Sequence, residues 1–103
     1  MFGFGKKKSK ADATIAVMDD AIRFAADRWL YFCEKLPFKE DVGLAERIAA
    51  FSVPFNEGAR NNFPPLRDSP DAVLFLIVAM GVQASGTHTR AEIEQALGFE
   101  MPT

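Results

Sequence analysis

Between Ile15 and Leu36 the apolar residues Ile15, Met18, Ile22, Ala25, Trp29, Phe32 and Leu36 recur at alternating steps of three and four. An α-helix turns every 3.6 residues, so this series lines up along one side of it. The spacing predicts a helix over 11–36, roughly 39 Å long. Such a stripe must be covered, and the rest of the chain has to do it. Val17, Ala21, Phe24 and Tyr31 widen the stripe on one flank, beyond what a two-stranded coiled coil needs. Asp12, Asp19, Arg23, Asp27 and Glu34 fall largely on the other side. Adjacent Asp19 and Asp20 point about 100° apart on a helix and cannot chelate one ion together. Pro37 ends the helix, because the residue before a proline is driven out of the α region.

Three shorter helices follow. Residues 40–51 place Leu44, Ile48 and Phe51 on one face, with acids in the first turn. In 70–85, Ser69 is expected as N-cap, Pro70 as the first helical residue and Asp71 next to the positive dipole end. This segment is apolar on nearly every side, which predicts a central position. Gly81 inside it costs up to about 1 kcal/mol relative to alanine, so it implies either a close helix approach, with Trp29 as the expected neighbour, or a kink. In 90–97, Thr89 and Glu92 have the spacing of a capping box and Gly98 that of a C-terminal stop. Between them, residues 52–70 hold four prolines and three asparagines. They are expected to form a long connection, with at most a short helix near 54–62. No segment alternates with period two for long enough to make a strand. The fold class is therefore all-α, a small bundle of four main helices in one domain, 11–103, behind a flexible basic tail, 1–10.

"GTHTRAEIEQALGFE" near the end of the chain has the rhythm of the first half of a helix-turn-helix. That motif needs a second helix to enter the groove, and only Phe-Glu-Met-Pro-Thr follows Gly98. Read instead as the recognition helix, 90–97 offers Arg90 against Glu92 and Glu94, and carboxylates repel phosphate. The expected role is a lid on the bundle, with Ile93, Leu97 and Phe99 turned inward.

Charge supports that choice. The chain is −2 overall, but its four tail lysines leave a body of eight basic and fourteen acidic residues. Such a body is poorly suited to binding phosphate backbones. The single Cys33 allows no internal disulfide and points to a reducing, cytoplasmic setting. No export signal is read in the basic "MFGFGKKKSK". The longest apolar run, 72–82, is about 16 Å as a helix, too short for a ~30 Å hydrocarbon core.

The chain carries no phosphate loop, dinucleotide fingerprint, calcium loop or zinc pattern. His88 is alone and far in sequence from Cys33. No catalytic, cofactor or metal site is assigned, and a non-enzymatic role is expected. The strongest candidate for partner binding is the middle segment, where Phe55 and Phe63 supply aromatic anchors. Asn56, Arg60, Asn61, Asn62 and Arg67 supply planar hydrogen-bonding groups typical of interfaces. The expected function is a small cytoplasmic protein-interaction or regulatory module, homodimeric or with another protein, drawing on the wide apolar stripe. The alternative is association with nucleic acid or anionic membrane through Phe2, Phe4, Lys6, Lys7, Lys8 and Lys10 of the tail.

Overall fold

The computed structural model describes residues 10–35 and 42–101, with 10–16 as backbone alone. The described chain is an all-α bundle. Helix α1 is Lys10–Lys35, α2 is Leu44–Asn62, α3 is Asp71–Ala84 and α4 is Arg90–Leu97. A short 3-10 turn, Pro64–Leu66, bridges α2 and α3. Helix α3 packs on the other three, and its closest partner is α1. Its Leu74, Ile77, Val78, Ala79 and Val82 are fully buried, which is the central position its composition predicts.

The stripe on α1 narrows to a fully buried line, Ala21, Ala25 and Trp29, with Met18, Ile22 and Phe32 half-buried beside it. Ile15 and Leu36 fall outside the described side chains. The small residues at 21 and 25 explain how α3 comes so close. At Gly81 an added Cβ would stand 2.4 Å from the Ala25 Cβ and 3.1 Å from the Ala25 carbonyl carbon and the Ala26 nitrogen. Gly81 is thus required by a backbone-to-backbone approach at Ala25, and the expected neighbour Trp29 is engaged elsewhere. The Trp29 indole N–H donates to the Thr87 hydroxyl at 2.9 Å, and its ring meets Phe51 edge-on at 5.4 Å.

Helix α2 differs most from the sequence reading. The predicted helix 40–51 and the short one near 54–62 are a single helix running straight through Pro54. It begins at Leu44, after Gly43, whose N–H donates to the Glu46 carboxylate at 3.2 Å. Residues 40 and 41 lie outside the described residues. An interior proline costs ~3 kcal/mol or more. Against this, Ile48, Phe51, Phe55 and Ala59 share one buried face of α2, and each large apolar side chain contributes roughly 1.5–3 kcal/mol. Burial on both sides of the proline outweighs the lost hydrogen bond, so the long connection shrinks to 63–70.

The start of α3 is also displaced by one residue. Pro70, with ψ 153°, occupies the N-cap position expected for Ser69, and Asp71 leads the helix. The Ser69 carbonyl is turned to Arg60, which donates to it at 2.7 Å. The end of the bundle follows the prediction closely. Thr89 and Glu92 form the reciprocal capping box, Gly98 adopts φ +78°, and Ile93 is fully buried. Arg90 donates to the Met101 carbonyl and, at 3.1 Å, to Glu94. The Met101 N–H donates to the same Glu94 carboxylate at 2.7 Å. The only cation that could have read bases on this helix is a clamp for the buried Met101.

Candidate functional site

The middle segment, now the second half of α2 and the turn after it, sends its residues in two directions. Phe55 is 3% exposed and belongs to the core. Phe63 meets Phe24 edge-on at 5.5 Å. Asn62 donates to the Gly58 carbonyl at 2.7 Å. Asn56, Arg60, Asn61 and Arg67 gather around a shallow depression of about 620 Å³, shared with Val53, Glu57 and Asp71. Two carboxylates there balance two guanidinium groups. Arg60 is also committed, joining the end of α2 to the start of α3 through Ser69 and, at 2.9 Å, Asp71. The Asn56 Oδ1 is buried without a hydrogen-bond partner among the described residues. Of the tail residues, Phe2, Phe4, Lys6, Lys7 and Lys8 lie outside the described residues, and Lys10 opens the backbone of α1.

The better-formed site lies on the opposite side of α2, where α1 and α2 run antiparallel. A groove of about 390 Å³ opens between them. Helix α1 contributes Phe24, Arg28, Tyr31, Phe32 and Lys35; α2 contributes Phe51, Pro54, Phe55, Gly58 and Asn62. The spacing on each helix explains the wall. On α1 the residues fall at i, i+4, i+7, i+8 and i+11, and on α2 at i, i+3, i+4, i+7 and i+11, each one helical face. The aromatic rings interlock: Phe24 with Phe55 at 5.8 Å, Phe55 with Phe51 at 5.6 Å, and Phe51 with Phe32 at 5.3 Å. Tyr31 remains 56% exposed on the lip.

Among the described residues, the ionisable ones in the wall, apart from the Tyr31 phenol, are two cations, Arg28 and Lys35. The Arg28 guanidinium lies 5.3 Å from the centroid of Phe24 and the Lys35 ammonium 5.8 Å from that of Tyr31. Each is therefore held over a groove aromatic. Glu34, 3.9 Å from Lys35, is the nearby acid, and both side chains are more than half exposed. Sequence reasoning identified Phe55 and Asn62 but missed the α1 half of this wall. The available signal was the i, i+3, i+7 series Arg28, Tyr31 and Lys35 beside the apolar stripe.

The backbone of α2 is costly where it borders the groove. Pro54 removes a helix hydrogen bond. Gly58 stands mid-helix, at up to about 1 kcal/mol relative to alanine. Unlike Gly81, it is not required by packing: an added Cβ would meet Phe24 at 3.7 Å, an ordinary contact. What Gly58 provides is open volume between the two helices.

Elsewhere, Cys33 and His88 have structural surroundings. Burial pushes the Cys33 thiol up, and the Arg47 charge offsets this only in part. A thiol held protonated is a poor nucleophile. His88 Nδ1 is 3.0 Å from the Thr87 hydroxyl, and its ring stands edge-on to Trp29 at 6.4 Å. Among the described residues no group of three or more His, Cys, Asp or Glu converges as metal ligands would, and no helix is long and apolar enough to cross a membrane. Comparison with family models, curated proteins and solved structures finds no match to this chain.

Proposed function

We propose that this chain is a small, cytoplasmic, non-enzymatic interaction or regulatory module whose recognition surface is the aromatic groove between α1 and α2. The observation that carries the reading is the groove itself, about 390 Å³ of apolar concavity along two helices, with two cations on its α1 side. Its volume falls in the range of roughly 300–1,000 Å³ typical of ligand sites, and a mostly apolar wall with a few polar groups is their usual composition. The lone Cys33, buried enough to be held as a thiol, supports a packing role for that residue and a reducing compartment. The depression around Arg60 and Arg67 is the weaker surface, because its charges are balanced and Arg60 is already bonded.

The test is proximity in the cell. A photo-crosslinking residue at Tyr31, on the groove lip, should give a discrete adduct that the same residue at exposed Gln95 of α4 does not give. Gly58→Phe, which fills the groove, should remove that adduct, whereas Gly58→Ala should retain it. An adduct pattern at Tyr31 no different from that at Gln95 would overturn the reading.

A further inference from the structure

We infer that the groove takes an elongated amphipathic carboxylate of the fatty-acid class, with its chain along the phenylalanines and its headgroup on the α1 lip between Arg28 and Lys35. The inference rests on the reading of the groove as the recognition surface and names its occupant.

Width argues for an alkyl chain. The wall spans eleven residues of each helix, about 16 Å at 1.5 Å per residue. A volume of about 390 Å³ over that length leaves a channel with a cross-section of about 24 Å². With the ~1.4 Å stand-off at each wall added, the groove is about 8 Å across, still narrower than the about 10–12 Å of a helix with its side chains. A single extended hydrocarbon chain fits, and a partner helix would enter only by its side-chain tips.

Charge selects the headgroup. The chain is acidic overall, yet among the described residues the groove wall contains Arg28, Lys35 and no carboxylate. The two cations are seven residues apart on α1, about 10 Å along the axis, so an anion between them is within reach of both. Among the described residues Arg28 is held only against the Phe24 ring, which leaves its planar donor fork to pair with a carboxylate, the geometry that makes charge-assisted pairs strong. Asn62, at the far end, already donates to the Gly58 carbonyl, so polar recognition is concentrated at the α1 lip.

Gly58 supplies the third argument. Alanine there would make only an ordinary contact with Phe24 and would favour the helix. The glycine keeps clear the floor along which the chain would lie. The groove thus combines an unfilled apolar floor with two cations at its edge, the two halves of an amphipathic anion.

Dodecanoate and dodecyltrimethylammonium, kept below their critical micelle concentrations, and dodecanol, kept below its solubility limit, serve as probes of the full-length protein by titration calorimetry. Dodecanoate should bind at least about tenfold more tightly than either of the others, the scale of one charge-assisted contact. Arg28→Gln/Lys35→Gln, whose changes are on the lip and leave the core intact, should erase that preference while dodecanol binding persists. Gly58→Phe should abolish binding of all three; if that variant unfolds by circular dichroism, Gly58→Leu is read in its place. Equal affinity for the anion and the cation, or a preference untouched by the double glutamine variant, would overturn the inference. In that case a neutral probe still expelled by the groove-filling variant leaves the groove as the recognition surface. Failure of every probe to bind the parent protein also overturns the inference, and the recognition reading then stands or falls on the Tyr31 crosslinking.

Discussion

Gly81→Ala is the perturbation that most sharply separates packing from propensity in this fold. On propensity alone it should stabilise α3 by up to about 1 kcal/mol, since glycine is the poorer helix former. The seam with α1 reverses the sign. The new methyl would stand 2.4 Å from the Ala25 Cβ and 3.1 Å from two backbone atoms of α1, and backbone cannot rotate away. Ordinary contact begins near 3.4 Å, so the helices must part by about 1 Å. Overpacking of this kind costs typically about 1–3 kcal/mol, and the parting loosens the fully buried residues around Ala25. The net expectation is a loss of about 1–2 kcal/mol. For a domain of this size that lowers Tm by roughly 5–15 °C. Urea unfolding followed by Trp29 fluorescence and by circular dichroism measures it. Ala25→Gly should restore part of the loss, with a coupling of about 1 kcal/mol in the double-mutant cycle. A Gly81→Ala protein as stable as the parent would refute the close-approach account.

Three further outcomes follow from named contacts. Thr87→Val should cost about 1–2 kcal/mol in urea unfolding, because it strips the acceptor from the buried Trp29 indole N–H, while Thr87→Ser should retain most of the stability. The Glu92 carboxyl is held below its ordinary value by the Thr89 backbone N–H and then the Thr89 side chain. A depressed folded-state pKa contributes stability above the unfolded value, near 4.3, and loses it as pH falls through the folded one. Glu92→Gln should therefore flatten the part of the stability curve below about pH 4.3, and a carboxyl titration by NMR should place Glu92 under that value. Cys33 should react with a disulfide reagent more slowly in the folded protein than in urea, because burial disfavours the thiolate.

The four-helix class was legible because periodicity is a local property and the α1 stripe is long. The capping box at Thr89 and Glu92 and the left-handed Gly98 were legible for the same reason, since caps are set by residues within one turn. Pro54 misled because its penalty is visible in the sequence, whereas the burial that offsets it comes from the Phe24, Phe32 and Phe51 neighbourhood and exists only after α1 and α2 pack. Gly81 announced a close approach but not its partner, because Ala25 and Trp29 lie on the same stripe and only tertiary structure chooses between them. The groove was half legible. Phe55 and Asn62 stood out in a Pro/Asn-rich stretch, but Phe24, Arg28, Tyr31 and Lys35 read as the margin of a helix stripe. Which margin stays uncovered depends on where α3 and α4 come to rest.

The central claim is that the groove between α1 and α2 takes an amphipathic carboxylate. Aromatic ring chemical shifts recorded by NMR as dodecanoate is added test it most directly. The account predicts saturable shifts at Phe24, Tyr31, Phe32, Phe51 and Phe55, and little movement at Phe75 and Phe99, which pack against each other at 6.2 Å beneath α4. Shifts centred on the Arg60 and Arg67 depression, or no saturable shift at the groove rings, would contradict it.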